Sequence, residues 1–361
     1  MKKPYILIAA ALLATGAAAQ NPSAYFMEGS TFRYDMNPAL TPQRGYLKLP
    51  GLSMVGVDLS NTLLSLDRFL YNKNGETVTF MHSSVTTEEF LKKLNKDYVD
   101  FYLLHALNKE KWELCKEIGV LDLLCELKKA GKIRNIGFSF HDSYSVFEEI
   151  IKYFKWDFCQ IQLNYMDTSE QAGMRGYRLA ESLGVPLVIM EPIKGGALAN
   201  IPKEVYKIMD SVTPGRSAAS WALRYVASLP NVKVILSGMS TFDQVLDNLN
   251  TFTDYEDLTD EEIAAVENAA DAIRARVKNG CTGCAYCMPC PNGVNIPRVF
   301  KIWNNYGMYD NKKAAKKNYF SLELENRASA CVECGACESL CPQHLSIISD
   351  LKKADKELSR L

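Results

Sequence analysis

The run Asp97-Tyr98-Val99-Asp100-Phe101-Tyr102-Leu103-Leu104-His105 marks where the chain settles into a regular α/β texture. It is aromatic and aliphatic, ends on a single histidine, and reads as a strand over 98–105. Strand-like runs follow at 133–139, 158–163, 185–190 and 232–237. Amphipathic stretches at 120–130, 143–154, 169–182, 217–228 and 242–250 alternate with them. Short β runs, each followed by a helix, imply parallel strands joined by crossovers, and the pattern gives five βα units. Gly131 is placed to stop the first of these helices just before its strand.

Working outward, 258–277 predicts a further helix, with Thr259 as its cap and Glu262 three residues on. It leads into the first of two cysteine clusters. Residues 296–325 between the clusters read as mostly helical, and 346–361 as a charged terminal helix. Upstream, 21–86 is rich in turn formers such as Asn37-Pro38, Pro50-Gly51 and Asn74-Gly75, and reads as short strands and loops. Residues 1–20 combine Lys2 and Lys3, an apolar run and Ala17-Ala18-Ala19, the order of a secretory signal peptide.

At 361 residues the chain is long enough for at least two structural units. Its formal net charge is −1, with 23% charged residues and no long basic or acidic run, so nothing electrostatic points to nucleic acid or an anionic membrane surface. Beyond the N-terminus no apolar stretch reaches membrane-spanning length.

Eight of the eleven cysteines lie between Cys281 and Cys341. The first motif reads Cys281-x2-Cys284-x2-Cys287-x2-Cys290-Pro291, and the second Cys331-x2-Cys334-x2-Cys337-x3-Cys341-Pro342. An iron–sulfur cube takes four thiolates converging on one small inorganic body, and a turning loop with cysteines every third residue supplies three of them. In two-cluster ferredoxins the fourth comes from the other run, and the second motif matches the bacterial pattern residue for residue. The first is one residue short before its last cysteine. Two [4Fe–4S] clusters are therefore expected, held by Cys281, Cys284, Cys287 with Cys341, and by Cys331, Cys334, Cys337 with Cys290. Zinc prefers separated Cys-x2-Cys pairs, and disulfides cannot easily join cysteines packed this densely. Iron–sulfur chemistry suits a reducing cytoplasm, whereas the first twenty residues predict export, so the two compartment signals conflict.

Here the residues carry a family resemblance. The run 97–105 resembles the fourth strand of the aldo/keto reductases, 131–139 the fifth and 159–167 the sixth. Met190-Glu191-Pro192 with Gly195-Gly196 looks like the loop after the seventh, and 235–248 like the eighth strand and the start of the helix after it. With the two-cluster tail, 87–361 is similar to the ferredoxin-containing branch of that family.

The resemblance implies a partial (β/α)8 TIM-type barrel of about five βα units, followed by an α-helical, ferredoxin-like two-cluster domain. It also implies hydride transfer between NAD(P) and a small carbonyl or alcohol. Since hydride carries two electrons and each cluster takes one, a flavin or a redox partner protein would normally mediate. By position in the matched motifs, His105 is the histidine of the catalytic tetrad. Gln162 and Ser139 match nicotinamide contacts, Asn248 an adenine contact, and Lys194 beside Gly195-Gly196 a residue facing a phosphate.

There are departures. Phe140 stands where many relatives carry asparagine, and Met190 where many carry a stacking tyrosine. Gly238 and Gln244 stand where NADP-preferring relatives place basic residues, which favours NAD.

The tetrad's aspartate, tyrosine and lysine belong upstream of 97, where no matching motif and no three βα repeats occur. Residues 1–86 instead resemble the exported start of a cell-envelope β-protein family of uncharacterised function. The expected organisation is a signal peptide at 1–20, a segment of unrelated origin at 21–86, a partial barrel at 87–277 and a two-cluster domain at 278–361, with a junction of two genes near 88–96. Five parallel strands cannot close a barrel, so two unpaired edges are expected.

Overall fold

A computed structural model describes residues 96–361 and the backbone of two short strands, β1 (Leu70–Lys73) and β2 (Glu76–Thr79). The predicted signal peptide, most of the 21–86 segment and the 88–96 junction lie outside the described residues, Lys96 excepted. In chain order there follow β3 (Val99–Leu107), α1 (Lys109–Glu117), α2 (Val120–Lys129), β4 (Ile133–Phe140), α3 (Tyr144–Tyr153), β5 (Phe158–Gln162), α4 (Gly173–Ser182) and β6 (Leu187–Met190). Next come α5 (Lys203–Asp210), α6 (Ala218–Ala227), β7 (Val232–Ile235), α7 (Phe242–Phe252) and α8 (Asp260–Arg274). The tail holds α9 (Ile296–Tyr309), α10 (Lys312–Phe320), α11 (Ala336–Ser339) and α12 (Ile347–Leu358).

Two units emerge: Met1–Pro192 with Leu229–Tyr255, and Ile193–Ser228 with Glu256–Leu361. The first is built on a five-stranded sheet in the order β3-β4-β5-β6-β7, every neighbouring pair parallel. This is the arrangement that alternating short apolar runs and helices demand, because a parallel pair needs a crossover between its strands. Among the described residues the sheet has two edges, β3 and β7, and β1 and β2 pair antiparallel with each other rather than extending it.

β4 is buried along most of its length, and its outward-facing aromatics meet those of the crossovers. Phe138 lies 4.7 Å from Trp156 and Phe140 5.2 Å from Phe147, ring centre to ring centre. The indole of Trp112, fully buried, donates to Glu149 Oε1 (2.9 Å), so the polar handle of the aromatic is satisfied at the boundary of the core. Lys109 and Lys116 close on the same carboxylate and push its pKa down to about 2.

Gly131, at φ +71°, ends the α2 turn as expected. The helix predicted over 169–182 begins only at Gly173, because Gln171 and Gly173 both adopt left-handed φ and break the turn before it. α1 has no counterpart in the sequence reading.

The second unit is helical. α8 starts with the expected box: Thr259 Oγ1 accepts from Glu262 N, and the Glu262 side chain accepts from Thr259 N. Glu262 also accepts from Thr213 Oγ1 (2.7 Å) and Arg216 Nη1 (2.6 Å), and the Arg216 guanidinium lies over the Trp221 ring at 5.0 Å. Burial works to raise the Glu262 pKa, but these bonds outweigh it and hold the carboxyl below its ordinary value. The tail packs α9, α10 and α12 around Val299, Phe300, Trp303, Tyr319, Leu351 and Leu358, with cysteines of both motifs against that core. Among the described residues no helix is long and apolar enough to cross a membrane.

Candidate functional site

The cysteine loops come first because their local conformation repeats. In the first, Gly283 (φ +74°) and Ala285 (φ +64°) flank Cys284; in the second, Glu333 (φ +61°) and Gly335 (φ +78°) flank Cys334. Left-handed residues at the same two positions give both Cys-x2-Cys-x2-Cys runs one wrapping path. Glycine takes this conformation freely, whereas Ala285 and Glu333 hold it at a steric cost. Alternation of this kind forms nests of backbone N–H groups that favour an anion such as a thiolate-bound cluster.

No disulfide joins any of the eleven cysteines in this structure. Cys290, Cys331, Cys334 and Cys337 line one cavity of ≈150 Å³, which Cys287 also borders. Cys281, Cys284, Cys287 and Cys341 line a narrower one of ≈20 Å³. The last cysteine of each motif thus sits with the first three of the other, the crossed grouping that two cubes need. The remaining walls are apolar or uncharged, with no acidic or basic side chain among the described residues that line them. No three His, Cys, Asp or Glu side chains among the described residues converge as ligands of one ion do. A cube does not ask for that, since each thiolate binds its own iron. The donor set fits [4Fe–4S] clusters, which supply one-electron redox chemistry when bound.

Burial pushes the Cys337 thiol up to about 11 and the Cys287 thiol upward, so loading with iron must displace protons that these thiols hold at neutral pH. Cys284 and Cys334 are exposed, one per cavity.

Sequence reasoning missed the supports of the first loop. Asn279, nearly buried, accepts from Cys281 N (2.9 Å) and donates to Asp350 Oδ2 (2.7 Å). Asn304 on α9 accepts from Lys278 N and Asn279 N and donates to Asn279 O (2.7 Å). The Asn279-Gly280 pair just ahead of Cys281 was the available signal, since it marks a turn.

The candidates in the sheet unit fall into separate groups. His105 lies exposed near the C-terminal end of β3. Ser139, buried at the end of β4, accepts from Ala106 N (2.7 Å), which brings it to the neighbour of His105. At the end of β5, Gln162 donates to Asp167 Oδ2 (2.9 Å) and accepts from Gln171 Nε2 (2.9 Å). Asn164, fully buried, donates to the same Asp167 oxygen and accepts from the backbone N–H groups of Met166 and Asp167. Asn164, Asp167 and Gln171 form a polar cluster that the sequence reading did not single out.

Asn248 on α7 donates to Ser237 Oγ (2.9 Å), both buried. Lys194 belongs to the helical unit, in a 3-10 turn where it, Gly195 and Gly196 all have positive φ. Ser139 thus bonds to the residue after His105, Gln162 to Asp167 and Asn248 to Ser237.

Comparison with known proteins bears on both parts. The aldo/keto reductase family matches residues 82–271, a 4Fe-4S dicluster domain matches 280–345, and a family of unknown function (DUF5723) matches 38–107. The chain belongs to the aldo/keto reductase family. No curated protein matches it.

Similar solved structures include the aldo-keto reductase AKR11C1 from Bacillus halodurans in its holo form, at 24% identity and TM-score 0.43, covering 51% of this chain and 62% of that one. Another is the glycerol dehydrogenase AKR11B4 from Gluconobacter oxydans, at 20% identity and TM-score 0.41, covering 56% and 70%. The chain thus spans under two thirds of the first of these.

Proposed function

We propose that this chain is an oxidoreductase in which an aldo/keto-reductase sheet accompanies a two-cluster electron-transfer domain, with carbonyl reduction impaired because His105 is the one tetrad member retained. The observation that carries the reading is the crossed grouping of eight thiols around two cavities without charged walls. Cys281, Cys284, Cys287 and Cys341 would hold one cluster, and Cys290, Cys331, Cys334 and Cys337 the other. Electrons would leave one at a time to a partner protein or a flavin. If a nicotinamide binds, Ser139, Gln162, Asn248 and Lys194 are its candidate contacts, and Gly238 and Gln244 favour NAD.

The organisation that goes with this reading is a signal peptide at 1–20, a segment of separate origin at 21–86, a partial barrel at 87–277 and a two-cluster domain at 278–361. The aldo/keto reductase and unknown-function matches overlap over 82–107, which supports a gene junction near 88–96. Single long reads across that stretch test whether the junction is genomic.

A second reading, a non-catalytic electron-transfer module, is favoured by the exposure of His105 on β3, an edge strand among the described residues. NADH fluorescence titration followed by turnover with assorted aldehydes separates the two. Without the tetrad's tyrosine and lysine, turnover is expected to fall by several orders of magnitude, as when other acid–base groups are lost. Turnover at an ordinary rate overturns the impaired-catalysis reading.

A further inference from the structure

The two cavities share two residues, Cys287 and Ile296. Cys287 is grouped as a ligand on one side and stands in the wall of the other. Ile296 carries no ligating atom: it is the first residue of α9, 1% exposed, and it lines both cavities. The helix start fixes it there. Asn295 caps α9 through its side chain, accepting from Arg298 N, and its own N–H donates to Asn326 O (3.0 Å). Pro297 and Phe300 continue the wall of the narrower cavity, and Val294 that of the wider one.

We propose that Ile296 is a partition common to both cluster chambers and that its hydrocarbon sets the two reduction potentials jointly. This rests on the two-cluster reading above. Reducing a cluster with four thiolate ligands adds negative charge to an already anionic body, and a dry, apolar wall disfavours that state. A hydroxyl in the same place would stabilise the reduced form on whichever side it faces, and at a shared wall it faces both. Residues bordering one chamber alone lack this joint effect. Ile348, on α12, borders the wider cavity only.

The test is a redox titration of the anaerobically prepared full chain, followed by electron paramagnetic resonance, on the native protein, Ile296→Val, Ile296→Thr and Ile348→Thr. Iron and acid-labile sulfide are measured first on the native protein, and their absence defeats the cluster reading rather than the partition. With clusters present, Ile296→Thr is expected to raise both midpoints, Ile296→Val to leave both unchanged, and Ile348→Thr to raise one.

A shift of a single midpoint in Ile296→Thr, or of none, overturns the proposal. The fully reduced native protein gives a second measurement that needs no variant to fold. Chambers that share the wall formed by Ile296 and Cys287 predict a spectrum split by interaction between the two spins, and two independent signals overturn the common wall.

Discussion

Replacing Cys290 with alanine discriminates crossed from uncrossed clusters in a single protein. Cys290 lies three residues past Cys287 in sequence, yet lines the cavity of Cys331, Cys334 and Cys337. The variant removes one thiolate from that cavity and none from the cavity of Cys281, Cys284, Cys287 and Cys341. Iron is therefore expected to fall from about eight to about four per chain, one cube being lost. Brief alkylation in the cold followed by peptide mapping reads which thiols were uncovered. Three should be labelled, Cys334 first because it is already exposed, while the four of the other cavity stay protected. Cys341→Ala should give the converse pattern. Labelling of Cys281, Cys284 and Cys287 in the Cys290→Ala protein would show that each motif wraps its own cluster and refute the reasoning.

Other expectations follow from packing and charge. Glu262→Gln keeps the shape but removes the charge that Arg216 and Thr213 address, and should cost about 2–4 kcal/mol in urea unfolding of the second unit. Because the folded pKa of Glu262 lies below its unfolded value, its contribution is full above the ordinary carboxylate range and is lost as pH falls through the folded value. Unfolding midpoints of the native protein should therefore drop on acidification more steeply than those of the variant, and parallel curves would contradict this. Phe138→Ala, at a fully buried ring between Trp156 and Phe147, should cost about 3–5 kcal/mol, and a loss under about 1 kcal/mol would mean the aromatic cluster repacks. Gly307→Ala would bring a Cβ to 2.5 Å from Arg276 O and should lower the thermal midpoint of the helical unit, a test readable by calorimetry.

Strands and most helices were legible because each is an apolar run or an apolar stripe with clear stops. α1 was not, since Trp112 is its one buried residue and Lys109–Glu117 shows no stripe; the usable cue was Asn108, whose side chain accepts from Lys111 N. The cysteines proposed as cluster ligands were legible because cluster geometry imposes a spacing that little else imposes. The loops' shared path was half visible: Gly283 and Gly335 announce positive φ, but Ala285 and Glu333 adopt it against their preference, and sequence gives no sign of that. Ser139 and Gln162 could be placed at strand ends, but their partners, Ala106 N for one and Asp167 and Gln171 for the other, depend on how neighbouring segments meet. Periodicity carries no information about such meetings.

Among the described residues β3 is the outermost rung of its sheet, bonded to β4 on one flank, with Phe101 68% exposed on it. Along a strand, successive amides point to opposite flanks. Deuterium should therefore enter Val99–Leu107 in a two-residue rhythm, quickly at the amides turned outward and slowly at those turned toward β4. The last rung of a ladder would in this way be written into the exchange record as an alternation that the interior strands lack.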